Sequence, residues 1–197
     1  MKRWSAFLVL LFGLAPSAVF SAGREGPVAY TVPQPSQSIV PAAHATGIPD
    51  AAQRQTLPDI TFYDRSGAPV KLSQFRNQVV LLNFWGLWCS PCLNQLHDFN
   101  QLQEMLKNRP FAVVPISLDQ GGIAKVRDFF SRQQFQALRP YVDPNGIGKT
   151  ATTLKITDIP TTILIDKRGR EVVRVVGAQQ WNNPAVPQLI DALAKER

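Results

Sequence analysis

Val79-Val-Leu-Leu-Asn-Phe-Trp85 runs into Gly86-Leu-Trp-Cys-Ser-Pro-Cys92, and Leu93-Asn-Gln-Leu-His-Asp-Phe99 follows. The first stretch is continuously apolar apart from Asn83, as expected for a central strand buried on both faces. After the turn, Leu93, Leu96, Phe99, Leu102, Met105 and Leu106 recur at steps of three and four. That period predicts a long amphipathic helix ending near Arg109-Pro110. Two cysteines separated by two residues therefore sit where a buried strand ends and a helix begins. The N-terminus of a helix offers unpaired N–H groups and a partial positive charge. Both favour a thiolate on Cys89, and thiols so placed reach pKa values of roughly 3.5 to 7.5. The spacing lets Cys92 attack a mixed disulfide formed by Cys89. A bond closing so short a loop gains only about 2 kcal/mol as a staple, before strain. Pro91 is tolerated in the first helical turn, where its missing N–H is not needed.

Other uses of the pair compete with this one. A structural zinc site needs four ligands, and the chain offers one cysteine pair, His97 and His44. A purely structural disulfide and a peroxide-reducing cysteine are further alternatives. The Thr and Pro that peroxide-reducing proteins place upstream of their cysteine are missing from Asn83-Phe-Trp-Gly-Leu-Trp88. No cofactor and no metal are expected.

Outward from this core, residues 60–63 and 70–72 flank the turn Asp64-Arg-Ser-Gly67 and read as a hairpin. Residues 111–118 form a second buried strand and 123–134 a helix with Val126, Phe129 and Phe130 inward. A short helix follows around 149–154, then strands at 161–166 and 171–176, and a closing helix over 184–195. The β-α-β unit requires a parallel pair with a right-handed crossover, and the last hairpin adds an antiparallel pair. Such a mixed sheet must be covered by helices on both faces, an α/β architecture.

The ends of the chain read differently. Residues 1–23 have a basic start (Lys2, Arg3), an apolar run from Trp4 to Leu14, the breaker Pro16 and a small-residue exit, the order of a secretory signal. Cleavage after Gly23, with Ser21 at −3, fits better than cleavage after Ala22; an uncut anchor is the rival. No cysteine follows, so lipid attachment is not expected. Export would put both cysteines in an oxidising, periplasmic or otherwise extracytoplasmic compartment. Residues 24–57 hold Pro27, Pro33, Pro35, Pro41 and Pro49 and read as a semi-rigid linker, whether stalk or disordered tail. The folded domain is expected over 58–197.

In a chain of 197 residues with 45% hydrophobic and 18% charged residues, a wholly disordered polymer is excluded. The net charge is +7, but the longest basic cluster is Lys167, Arg168 and Arg170, without the stripe and reading motif of a nucleic-acid binder. No nucleic-acid partner is expected.

The stretch Asn83-Phe-Trp-Gly-Leu-Trp-Cys-Ser-Pro-Cys92 resembles the N-F-W-A-x-W-C-x-P-C signature of exported thioredoxin-fold proteins of the TlpA/ResA class, with Gly86 in place of alanine. Ile159-Pro-Thr-Thr162, followed by Ile163-Leu-Ile-Asp166 and Gly169, matches the second signature of that class. The hairpin ending in Leu72-Ser-Gln-Phe75 resembles its added N-terminal strands. The resemblance covers about residue 57 to the C-terminus. It implies a thioredoxin fold with an added N-terminal β-hairpin and a protein-disulfide oxidoreductase activity carried by a redox-active Cys89–Cys92 disulfide. It further implies a cis bond before Pro160, which would face the cysteines. Trp88, Ser90, Pro91, Ile159 and Pro160 would then form the substrate groove, where the loop before Pro160 pairs with substrate backbone, and Gln95 would tune the thiols.

Three positions depart from the relatives. Asn83 stands where thioredoxin has a buried acid, Gln95 where ResA-like proteins have Glu, and His97 where a helix-kinking proline is common. Neither amide can take a proton as a carboxylate does. His97 reads as a half-exposed helix residue, or else as a base. No Lys, Arg or His lies between Asn83 and Cys92 to stabilise a thiolate strongly, as an oxidant requires. The expected activity is therefore reduction of disulfide-containing protein substrates, fed by a membrane thiol-electron donor. An oxidant or isomerase, or a metal-binding docking module, are the alternatives. The sequence leaves the oligomeric state open.

Overall fold

The computed structural model describes residues 49–143 and 149–196. The signal segment and the linker up to residue 48 lie outside the described residues. Strand β1 (Thr61–Tyr63) pairs antiparallel with β2 (Pro69–Lys71). Gly67, at φ 83°, and the Asp64 carboxylate, which accepts from the Ser66 and Ala68 N–H groups, close the turn between them. A 3-10 turn, Leu72–Phe75, leads to β3 (Val79–Trp85). Then come α1 (Ser90–Met105), β4 (Phe111–Ser117), α2 (Gly122–Arg132), β5 (Tyr141–Val142), α3 (Lys149–Thr153), β6 (Thr161–Ile165), β7 (Glu171–Val176) and α4 (Ala185–Lys195).

The sheet runs β2-β1-β5-β4-β3-β6-β7. β3 is parallel to β4 and antiparallel to β6. Alternation along β3 decides the layers. Val79, Leu81 and Trp85 join the core beneath α1, α2 and α4, with Leu96, Phe99, Val126 and Ile190. Val80, Leu82 and Phe84 point to the other face, where Leu72, Ala151 and Leu154 cover them. All seven β3 residues are buried.

Strand β5 escaped the sequence pattern. It has two residues, yet it joins the hairpin to the central sheet, pairing Val142 with Tyr63 and Tyr141 with Ile116. Helix α1 is also shorter than expected. Met105 is exposed, and Leu102 and Leu106 carry the apolar face instead.

Residues 49–57, read from the sequence as the end of the linker, pack on the domain. The Leu57 N–H donates to Gly169 and the Glu171 N–H to Gln55, while Thr56 bridges Arg170. Arg54 is buried between Glu196, which it grips through both terminal nitrogens at 2.6 and 2.9 Å, and Asp166 at 3.3 Å. Arg170 adds a second cation to Asp166 at 2.8 Å. Gly169, at φ 75°, makes the β6–β7 turn and leaves room for the Arg76 guanidinium, which a side chain there would strike.

Candidate active site

Cys89 is the N-cap of α1, and Pro91 occupies the first turn. The two cysteines form a disulfide with an S–S distance of 2.01 Å and Cα atoms 5.3 Å apart. The Cys89 carbonyl accepts from the N–H groups of Cys92 and Leu93, which starts the helix. Cys92 is 1% exposed and Cys89 6%, so the more N-terminal sulfur belongs to the more accessible residue. Trp88 stands out at 63% exposure, and Ser90 and Pro91 are exposed beside it. The Ile159–Pro160 bond is cis. Ile159 packs against both core layers, and the Pro160 carbonyl accepts from Gly177 N–H at 2.7 Å. β6 begins beside the carboxyl end of β3, since Phe84 pairs with Thr161. Pro160 therefore enters the sheet at the end where the disulfide lies.

Neutral polar groups lie behind the disulfide. Asn83, on the α1 side of β3, donates to Thr162 Oγ1 at 3.0 Å, and Gln95 Nε2 donates to the same oxygen at 3.2 Å. Gln95 is buried one helical turn beyond Cys92, and its Oε1 has no hydrogen-bond partner among the described residues. Sequence reasoning named Asn83 and Gln95 but missed Thr162 as the hydroxyl that joins them. His97 is set apart from this group: it is exposed, with its ring edge-on to Phe135 at 5.0 Å.

A second residue went unnoticed. Asp119, just past β4, accepts from Leu87 N–H at 2.8 Å and from the Ser117 hydroxyl at 2.7 Å. With Leu118 N–H on the Trp85 carbonyl at 2.8 Å and Cys89 N–H on the Gly86 carbonyl at 3.1 Å, it clamps the turn that delivers Cys89. A polar Ser-x-Asp at the exit of an apolar strand was the only available signal. On α1, Asp98 is held above the usual carboxylate range by burial, opposed by the Trp181 N–H bond and nearby His97. Among the described residues no group of three or more His, Cys, Asp or Glu could hold a metal ion.

A helix-capping disulfide at the end of a central strand, a cis-proline entering the neighbouring strand and a mixed sheet with helices on both faces define a thioredoxin-fold thiol–disulfide oxidoreductase. The chain matches the AhpC/TSA family model over residues 53–177 and belongs to that family. Among curated relatives, the thiol-disulfide oxidoreductase ResA of Bacillus thuringiensis subsp. konkukian is 30% identical over 122 residues, 62% of this chain and 68% of that protein. The ResA of Geobacillus kaustophilus is 31% identical over 121 residues, covering 61% and 67%. Among solved structures, a secreted thiol-disulfide isomerase from Corynebacterium glutamicum superposes with a TM-score of 0.66 at 30% identity, over 76% of this chain and 91% of that one. A DsbF homologue from Corynebacterium diphtheriae gives 0.62 at 25% identity, over 74% and 90%. The TlpA/ResA-like resemblance read from the two motifs is thereby established.

Proposed function

We propose that this protein works outside the cytoplasm as a reductant of protein disulfides, with Cys89 attacking and Cys92 resolving. The observation that carries this reading is the Cys89–Cys92 pair at the mouth of α1, backed by amides and a hydroxyl rather than by cations. The Cys89 thiolate attacks one sulfur of the substrate disulfide, forming a mixed disulfide and releasing one substrate thiolate. The Cys92 thiol loses its proton and attacks Cys89 Sγ, which releases the second substrate thiolate and closes the Cys89–Cys92 disulfide. Two electrons pass to the substrate, and the two substrate sulfurs take up protons. A dithiol donor, here a membrane thiol-electron carrier, must return the electrons.

Trp88, Ser90, Pro91 and Ile159 form the proposed docking rim, with the backbone before Pro160 pairing to an extended substrate. Gln95 Oε1, one helical turn beyond Cys92 and without a partner among the described residues, is proposed as a hydrogen-bond acceptor for the Cys92 thiol once the disulfide opens. Residues 1–23 serve as the export signal or anchor, and the proline-rich stretch upstream of Pro49 as a spacer. A second reading, an isomerase or oxidant, draws support from the likeness to the secreted isomerase of Corynebacterium glutamicum. Acid quenching of cells followed by thiol alkylation tests the direction. A reductant is held mainly as the dithiol at steady state; a protein found fully as the disulfide contradicts this assignment. A Cys92→Ser trap then names the substrates through mixed disulfides to Cys89.

A further inference from the structure

We propose that Gly86 is a specificity-determining residue for this reaction because it seats the Trp88 indole beside Cys89. Gly86 is buried, and its φ lies outside the left-handed region in which Gly67, Gly122, Gly169 and Gly177 are found. Backbone geometry therefore does not call for glycine here; space does. A methyl group on the Gly86 α-carbon would lie 2.8 Å from both Cε2 and Nε1 of Trp88 and 3.3 Å from Cζ2. Carbon atoms do not pack that closely.

The backbone around Gly86 has little freedom to yield. Leu118 N–H holds the Trp85 carbonyl, Asp119 holds Leu87 N–H, and the Gly86 carbonyl is taken by Cys89 N–H. Trp88, in contrast, is 63% exposed and is free to take another rotamer. An alanine at 86 would be accommodated by displacing the indole. Glycine lets the ring lie down on the turn, one residue before the attacking cysteine. The ring's position decides what a partner meets on approaching Cys89. A polypeptide disulfide must pack against this aromatic surface, whereas a small disulfide touches less of it. Gly86 acts through Trp88 and does not itself meet the reacting sulfurs.

The inference takes exchange through Cys89 from the proposed function, but not its direction. The test is a cycle of Gly86→Ala, Trp88→Ala and the double variant, assayed as reduced protein on insulin and on oxidised glutathione. Gly86→Ala is expected to raise KM for insulin at least roughly threefold with kcat little changed, and to move KM for oxidised glutathione less than about twofold. In the Trp88→Ala background the same substitution is expected to have no further effect on insulin. Equal effects on both substrates, or an effect that persists without Trp88, overturn the proposal. Loss of all exchange in Cys89→Ser, run alongside, keeps the reading of the reaction separate from this outcome. Should Gly86→Ala not fold, NOE contacts between the Gly86 α-protons and the Trp88 indole in the unmutated protein decide the matter. Their presence supports the seat, and their absence overturns it.

Discussion

At the carboxyl end of β3 the polar groups behind the disulfide are neutral: Asn83, Gln95 and the Thr162 hydroxyl that both of them share. At its amino end, where Val80 pairs with Ile165 and the chain runs on to Asp166, the buried polar groups are ions. There Arg54 and Arg170 converge on Asp166, and Arg54 also grips Glu196. Burying an ion is costly unless it is paired and hydrogen-bonded. Asp166 meets that condition, also accepting N–H bonds from Arg168 and Arg170. The charged end fastens residues 49–57 to the domain. At the other end Asp119 is tied to the turn before Cys89, its carboxylate accepting from the Leu87 N–H and the Ser117 hydroxyl. Paired ions thus serve cohesion at one end, while at the other the groups that Thr162 joins are neutral and Asp119 is spent on holding the turn.

The largest break in this contrast comes from the neutral end. Cys89→Ser is expected to abolish disulfide exchange, while Cys92→Ser accumulates mixed disulfides through Cys89. Losing the short disulfide loop should cost no more than about 2 kcal/mol of stability. Insulin reduction and denaturant unfolding read the two quantities separately. Alkylation of the reduced protein at neutral pH that modified Cys92 first would reverse the two assignments.

At the charged end the effects should fall on stability and spare exchange. Arg54→Met leaves Glu196 without this cation and Asp166 with Arg170 and two N–H bonds, so the expected loss of stability stays below the about 3–5 kcal/mol of an uncompensated buried charge. The same end should make the protein acid-sensitive. Burial alone would raise the Asp166 carboxyl. The N–H bonds from Arg170 and Arg168, the Arg170 charge and the Arg54 bond outweigh it and hold the carboxyl below its ordinary value. A depressed carboxyl stabilises the fold above the unfolded-state pKa of about 3.9 and loses that contribution as pH falls through the folded value. Urea unfolding at a series of acidic pH values should show this loss, and Asp166→Asn should flatten it.

A smaller effect is expected at the clamp. Asp119→Ala leaves the Leu87 N–H and the Ser117 hydroxyl without their acceptor, a cost of about 1–3 kcal/mol. Hydrogen exchange at Leu87 should quicken accordingly. The smallest change brings a charge to the neutral end. Gln95→Glu should raise the Cys89 pKa, because a nearby negative charge disfavours the thiolate. Thiolate absorbance against pH in both proteins checks this, and an unchanged curve would place Gln95 outside the electrostatic reach of the thiol.

Much of the neutral end was legible in the sequence, because its chemistry is local. Strand, turn, Cys89, Cys92 and helix follow one another within a few turns of chain, and apolar periodicity marks each. The cis bond at Pro160 came only from the resemblance, since spacing carries no sign of isomer state. The charged end was illegible because its pairs are distant: Arg54 and Asp166 are 112 residues apart. The proline-rich approach makes residues 49–57 read as linker, and only the burial of Arg54 distinguishes them from it. β5 was missed because two residues cannot display a period. Asp119 was missed, and Gly86 was marked only as a departure from the alanine of the signature, for a related reason, as each matters through a neighbour's side chain or N–H that only the folded turn brings into place.

The claim that a cation-poor dithiol pole makes this protein a reductant is tested most directly by its reduction potential. Equilibration of the Cys89–Cys92 pair against glutathione, followed by alkylation and mass measurement, gives that potential. A reductant of this kind is expected at roughly −220 to −280 mV, between glutaredoxin and thioredoxin. A value near about −120 mV, that of a strong oxidant, would contradict it.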